Sequence, residues 1–150
     1  MTCMLKEVED QYQVLTMVHQ SIDQMLEGLH QDDWQKCPKA GFNSIVSILD
    51  HVILVEKKFF SAVSGNPMDM DTQLPFKVDH WDVSAVQQAW SEILPYAQSV
   101  LEPLNASDLE KPGLNLRVGQ LNRRQLITYA IGHTTHHRGQ IPLLLKLLKG

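Results

Sequence analysis

Residues 129–141 read YAIGHTTHHRGQI, and they decide how the rest of the chain is read. Three histidines, His133, His136 and His137, stand within five residues. An imidazole buried without a partner is costly, so the direction each one faces matters. On either side of them, Leu126, Ala130, Ile141, Leu144 and Leu148 recur at helical spacing. Continuing that stripe between Ala130 and Ile141 gives positions 133 and 137. His133 and His137 are therefore expected one turn apart on the face that looks into the protein. His136 is expected about a quarter turn away, given roughly 100° of rotation per residue.

An i, i+4 histidine pair can hold one metal ion, but two ligands rarely suffice. A third is sought on another helix at the same depth, and His51 fits. It stands three residues after Ile48 and four before Val55, inside the stripe Ile45, Ile48, Val52, Val55, Phe59 and Val63. That stripe predicts a helix from Asn43 or Ser44, both good N-caps, to about Ser64. At about 1.5 Å per residue, His133 and His137 lie roughly 16 to 22 Å from the start of the last helix, and His51 roughly 20 Å from the end of the second. An antiparallel pair with aligned ends brings all three level. Three neutral imidazoles leave coordination positions open, the layout of a catalytic rather than a closed structural site. Zn²⁺, Ni²⁺ and other first-row ions all suit imidazole.

The remaining segments complete an all-α plan. Leu5, Val8, Tyr12, Leu15, Ile22, Leu26 and Leu29 predict a first helix over 5–29. His19 occupies a position in that series where an apolar residue is expected, and it is read as a hydrogen-bonded core histidine rather than a fourth ligand. A third helix is expected from Asp82 or Ser84 to about Leu104, kinked or split at Pro95. The last helix opens on Asn122 with Gln125 three residues later, a capping-box pattern, and runs to about Leu148 with a disturbance at Pro142. GLNLRVG, residues 113–119, alternates weakly, and no segment reads as a convincing strand. The expected architecture is one domain over residues 1–150, a four-helix bundle with long loops.

Composition narrows the function. The chain has 150 residues, 43% of them hydrophobic, enough for a core of this size. The net charge of −4 offers no basic face for nucleic acid. No apolar run approaches the roughly 20 residues of a membrane span. The start, MTCMLKEVEDQYQ, is too polar for a signal peptide, and the default expectation is a soluble cytoplasmic protein. Cys3, in an expected frayed terminus, and Cys37, before Pro38, are read as free thiols in a reducing compartment, with a disulfide between them left open. HTTHH lacks the glutamate of H-E-x-x-H. EGLH, residues 27–30, is a lone E-x-x-H where a di-iron bundle needs two. His30 and His80 fall in loops and are expected to be solvated.

LDHVILVEKKFF, residues 49–60, followed by HTTHHRGQI, residues 133–141, resembles the DinB family, the DinB/YfiT-like metalloenzymes. The family pattern is an isolated histidine on helix two and H-x-x-x-H-R-G-Q on helix four. The resemblance covers nearly the whole chain and makes His51, His133 and His137 the metal triad. It implies an up-down-down-up bundle, a divalent metal, commonly nickel or zinc, and a homodimer. The family's name refers to DNA-damage induction, which implies a stress response and no DNA contact. Related proteins transfer low-molecular-weight thiols, so the resemblance implies a metal-dependent transferase joining a small-molecule thiol to an electrophile. A non-catalytic metal-stabilised bundle or a small-molecule binding module is the alternative.

Four residues near the motif carry open readings. Tyr129 either flanks the site or, the preferred reading, packs the helix with its hydroxyl near solvent. Arg138 pairs with a substrate carboxylate or, preferably, makes a structural salt bridge. Gly139 is read as allowing close helix approach. Gln140 either orients a ligand histidine or faces solvent.

Overall fold

The apolar stripes fold as helices in the computed structural model, which describes residues 4–150. Cys3 lies outside the described residues, and Cys37 is exposed. The order is α1 (Lys6–Leu26), α2 (Gln31–Gln35), α3 (Ile45–Ser64), a 3₁₀ turn (Leu74–Phe76), α4 (Val83–Leu101), α5 (Ala106–Glu110), β1 (Pro112–Leu116), β2 (Gly119–Asn122), α6 (Arg123–Arg138) and α7 (Ile141–Leu148). The long helices α1, α3, α4 and α6 pack together. Helix α3 lies against α4 and α6, and α1 lies against α6 and more lightly α4.

The helix starts follow from caps written in the sequence. Ser44 Oγ accepts from Ser47 N at 3.2 Å and opens α3, while Asp82 Oδ1 accepts from Ala85 N at 3.1 Å and opens α4. Asn122 and Gln125 form a reciprocal capping box at α6. Helix α3 closes on Gly65 at φ 90°, a left-handed C-cap.

Several expectations are corrected. Helix α1 stops at Leu26 rather than Leu29, because Gly28 turns the chain at φ 74°. Helix α4 runs through Pro95 without splitting. The proline forfeits one backbone bond, but Ile93, Ala97, Val100 and Leu101 are buried on both sides of it, and that burial keeps the helix going. The single helix expected over 122–148 is two. Helix α6 ends at Arg138, and Pro142 lies in the first turn of α7, where a missing N–H costs little. Helices α2 and α5 lie in stretches read as loops. Each is a single short turn pinned by a buried side chain, Trp34 and Leu109. The weakly alternating GLNLRVG belongs to a real antiparallel hairpin, with Asn115 opposite Gln120 and Leu116 opposite Gly119. The hairpin survives because Leu114, Leu116 and Leu121 pack against the core, so the fold is mostly helical with a small two-stranded sheet rather than purely α.

The core is divided. One apolar cluster gathers Val8, Leu15, Val55, Phe59, Phe60, Val63, Ala97, Leu101, Leu126, Ile127 and Ala130. A second gathers Ile22, Leu26, Ile45, Ile48, Leu49, Val52, Val86, Trp90, Ile93, Ile141 and Leu144. Along the chain, His19 and Thr134 fall between the two sets, Glu56 lies just inside the first set between Val55 and Phe59, and all three are buried. These three buried polar side chains bond to one another within the helical interior. No helix among the described residues is long and apolar enough to cross a membrane.

Candidate metal centre

Helix α3 contributes His51, and α6 contributes His133 and His137. The three rings meet: centroids are 5.0 Å apart for His51 and His133, 4.8 Å for His51 and His137, and 4.5 Å for His133 and His137. One ligand atom from each lies within 4.8 Å of the others. His51 is buried, while His133 and His137 are half-buried and give the cluster its access to solvent. The group contains no carboxylate.

The back of two rings is held. His51 Nδ1 donates to the carbonyl oxygen of Thr72 at 2.6 Å, and His137 Nδ1 donates to Gln140 Oε1 at 2.8 Å. Each bond places the ring proton on Nδ1 and leaves an Nε2 lone pair for the centre. Phe76 flanks His51 with centroids 4.8 Å apart. His51 Nε2 and His133 Nε2 face each other at 3.1 Å, and His133 Nδ1 is buried with no partner. In either neutral tautomer His133 therefore keeps one unsatisfied nitrogen, which is expensive in a protein interior. A donor set of neutral nitrogens converging on one point fits a cation that accepts lone pairs.

Electrostatics keeps these rings unprotonated. His133 is pushed down to about 3, first by burial and then by the neighbouring His137, His51 and His136. Burial also lowers His51, partly opposed by the bond to Thr72. His137 is lowered chiefly by burial as well, with the Gln140 bond opposing it. An unfolded histidine takes up its proton near 6.5. Between that value and about 3, the unfolded chain binds more protons than the fold, so stability falls as the solution is acidified. Metal-free protein is expected to melt at progressively lower temperature from about pH 7 to about pH 4. A pH-independent melting temperature across that window contradicts a neutral His133.

The sequence profile of the DinB family matches residues 4–148. The chain belongs to the DinB family. Among solved structures it resembles YfiT from Bacillus subtilis, described as a probable metal-dependent hydrolase with an unusual four-helix bundle topology. That likeness has a TM-score of 0.76 at 13% identity and covers 96% of this chain and 89% of that one. It also resembles a conserved protein from Enterococcus faecalis, with a TM-score of 0.78 at 14% identity, covering 97% and 99%. No curated protein matches it in sequence. The DinB fold is thus kept at identities where little side-chain detail is shared.

Within this DinB chain the neighbouring residues sort clearly. Gln140 holds His137, the orienting role that was one of its two readings. Tyr129 is 39% exposed, and its ring lies 6.0 Å from Phe59, which in turn lies 6.4 Å from His133. Arg138 makes a hydrogen bond rather than the expected salt bridge, donating to Ser21 Oγ of α1 at 2.6 Å. Gly139 marks the break between α6 and α7. A Cβ there would meet the carbonyl of His136 at 3.3 Å, its own preceding turn rather than another helix. His136 is exposed beside His137, and His30 and His80 are exposed as expected. His19 is buried and bonded to Glu56, outside the cluster.

Glu56 and Thr134 were not singled out from the sequence. Their signal was present: Glu56 follows Val52 by four and precedes Phe59 by three, and Thr134 follows Ala130 by four and precedes Ile141 by seven. Both are polar residues on an apolar stripe. Because Gln140 fixes the tautomer of one ring, Gln140→Ala is expected to weaken metal binding about tenfold or more, read by competition with a chromophoric chelator.

Proposed function

We propose that this protein is a metal-dependent enzyme in which His51, His133 and His137 hold one divalent cation, nickel or zinc before other first-row ions, and that it transfers a small thiol to a reactive electrophile. The observation that carries the reading is the convergence of three imidazoles, two of them oriented from behind by Thr72 and Gln140. A divalent cation bound there supplies positive charge at an open position, which favours the thiolate form of a thiol brought beside it. The chain's own residues do the rest. The Thr72 carbonyl and Gln140 hold the ligand rings still, and the half-buried Phe76 offers apolar surface beside His51 for an electrophile. A cavity of about 210 Å³ lined by Phe42, Ile48, Gln140, Leu143 and Leu144 lies against the residue that orients His137.

The thiol reading is favoured over water as nucleophile because the histidine group contains no carboxylate to act as general base. Hydrolysis is the second reading, favoured by the likeness to YfiT, described as a probable metal-dependent hydrolase. The same proposal includes an up-down-down-up helix order, supported by the two core clusters. The early parts of α1 and α6 fall in the first cluster and their later parts lead to the second, while α3 and α4 run in the reverse order. It also includes a cytoplasmic homodimer that binds neither nucleic acid nor membrane and serves a stress response.

The test loads the metal-free protein with nickel or zinc and supplies a small thiol with a chromogenic haloaromatic electrophile. Thioether formation that needs the metal and stops on chelation is expected. A loaded protein that consumes no thiol but hydrolyses esters supports the hydrolase. One that does neither supports a metal-stabilised binding module.

A further inference from the structure

We propose that Thr134 is a positioning residue of the metal centre: its hydroxyl, bonded to the buried carboxylate of Glu56, sets the register of the helix carrying His133 and His137 against the helix carrying His51. This rests on the reading of those histidines as ligands and adds residues outside the ligand set.

The bond is short, 2.6 Å from Thr134 Oγ1 to Glu56 Oε2, and both residues are fully buried. Thr134 follows His133 directly and precedes His137 by three, while Glu56 follows His51 by five. A single directional contact thus joins the two ligand-bearing helices within about one and a half turns of every ligand. Threonine in a helix ordinarily satisfies its hydroxyl on the carbonyl four residues back. Thr135 does so on Ile131 at 2.7 Å, and Thr16 does so on Tyr12 at 2.9 Å. Thr134 instead directs its proton across the helix interface.

The acceptor is itself immobilised. His19 Nε2 reaches both carboxylate oxygens, at 3.0 and 2.9 Å, from α1. The His19 ring stacks on Trp90 of α4 with centroids 4.1 Å apart and planes 4° apart, and Trp90 Nε1 donates to Asp23 Oδ1 at 2.7 Å. All four long helices therefore contribute to holding one carboxylate. Apolar packing is non-directional and tolerates sliding, whereas a hydrogen bond fixes distance and angle. A three-nitrogen site needs its ligands held within about 0.5 Å. The buried network of His19, Glu56 and Thr134 supplies that constraint.

Thr134→Val keeps the side-chain shape and removes the hydroxyl. Nickel and zinc affinities are measured by chelator competition well below the melting temperature, and the coordination geometry is read from the visible spectrum of the Co²⁺-loaded protein. The expected result is metal affinity weakened about tenfold, altered Co²⁺ bands, and recovery of both in Thr134→Ser. A folded Thr134→Val with wild-type affinity and spectrum, even one that melts earlier, overturns the proposal. So does a loss that Thr134→Ser fails to restore. If Thr134→Val does not fold, Thr134→Ala takes its place, with weakened binding expected and unchanged binding contradicting. A wild-type chain that binds no metal overturns the ligand reading along with this one, whereas wild-type binding left intact in Thr134→Val overturns this one alone.

Discussion

A chain carrying both His133→Ala and His137→Ala is expected to bind no measurable divalent metal and to lose the proposed metal-dependent activity, yet keep its helical spectrum. The size of the loss follows from ligand count. Closed zinc sites with four ligands bind with apparent free energies of about 10–16 kcal/mol, roughly 3 kcal/mol for each ligand. Removing two of three then costs about 6 kcal/mol, or about four orders of magnitude in affinity. The fold has no comparable need of these rings. His133 carries a buried nitrogen without a partner, so its removal relieves a desolvation cost. Alanine also favours a helix. The metal-free double variant is therefore expected to melt at or above the temperature of metal-free wild type. Metal content, circular dichroism and thermal melting of the four samples, wild type and variant with and without metal, check this together. Metal-free wild type and variant that are both unfolded, beside a folded metal-loaded wild type, point to a structural site.

Glu56→Ala has the largest expected effect on stability. The carboxylate is fully buried and serves two donors, His19 Nε2 and Thr134 Oγ1. Removing one member of a buried, bonded set leaves the others desolvated and unpaired, which costs about 3–5 kcal/mol. In a chain of this length that lowers the melting temperature by about 10 °C. The exposed Lys6–Asp10 pair is the natural control. Its loss is expected to leave the melting temperature unchanged, because solvent-exposed ion pairs are screened and poorly ordered. Combining Glu56→Met with His19→Leu and Thr134→Val removes every orphan at once and should recover much of the stability. It should not recover metal affinity, since the directional tie between the ligand-bearing helices is gone. A Glu56→Ala variant as stable as wild type in denaturant titration contradicts the buried network.

The convergence of His51, His133 and His137 was legible because each histidine stands in an apolar stripe at helical steps, and helical rise is regular enough to compare depths. Helix starts were legible for the same local reason: Ser44, Asp82 and Asn122 carry caps whose chemistry is complete within four residues. What escaped depends on distant partners. The hairpin over 112–122 is held by the packing of Leu114, Leu116 and Leu121 on the core, which weak local alternation does not announce. The continuity of α4 through Pro95 reflects burial on both sides outweighing one lost backbone bond. Glu56 and Thr134 each look like an isolated polar interruption of a stripe. Their meaning appears only when His19, already read as a bonded core histidine, is seen to share one carboxylate with Thr134. Gln140 stands three residues after His137, a spacing at which side chains meet, so its bond to the ring was open to a local reading.

The most direct measurement is anomalous diffraction at the absorption edge of nickel or zinc from crystals of the metal-loaded protein. The account predicts one strong peak about 2.0–2.1 Å from an imidazole nitrogen of each of His51, His133 and His137. A loaded crystal with no peak among those three rings, or with its metal held by other residues, contradicts it.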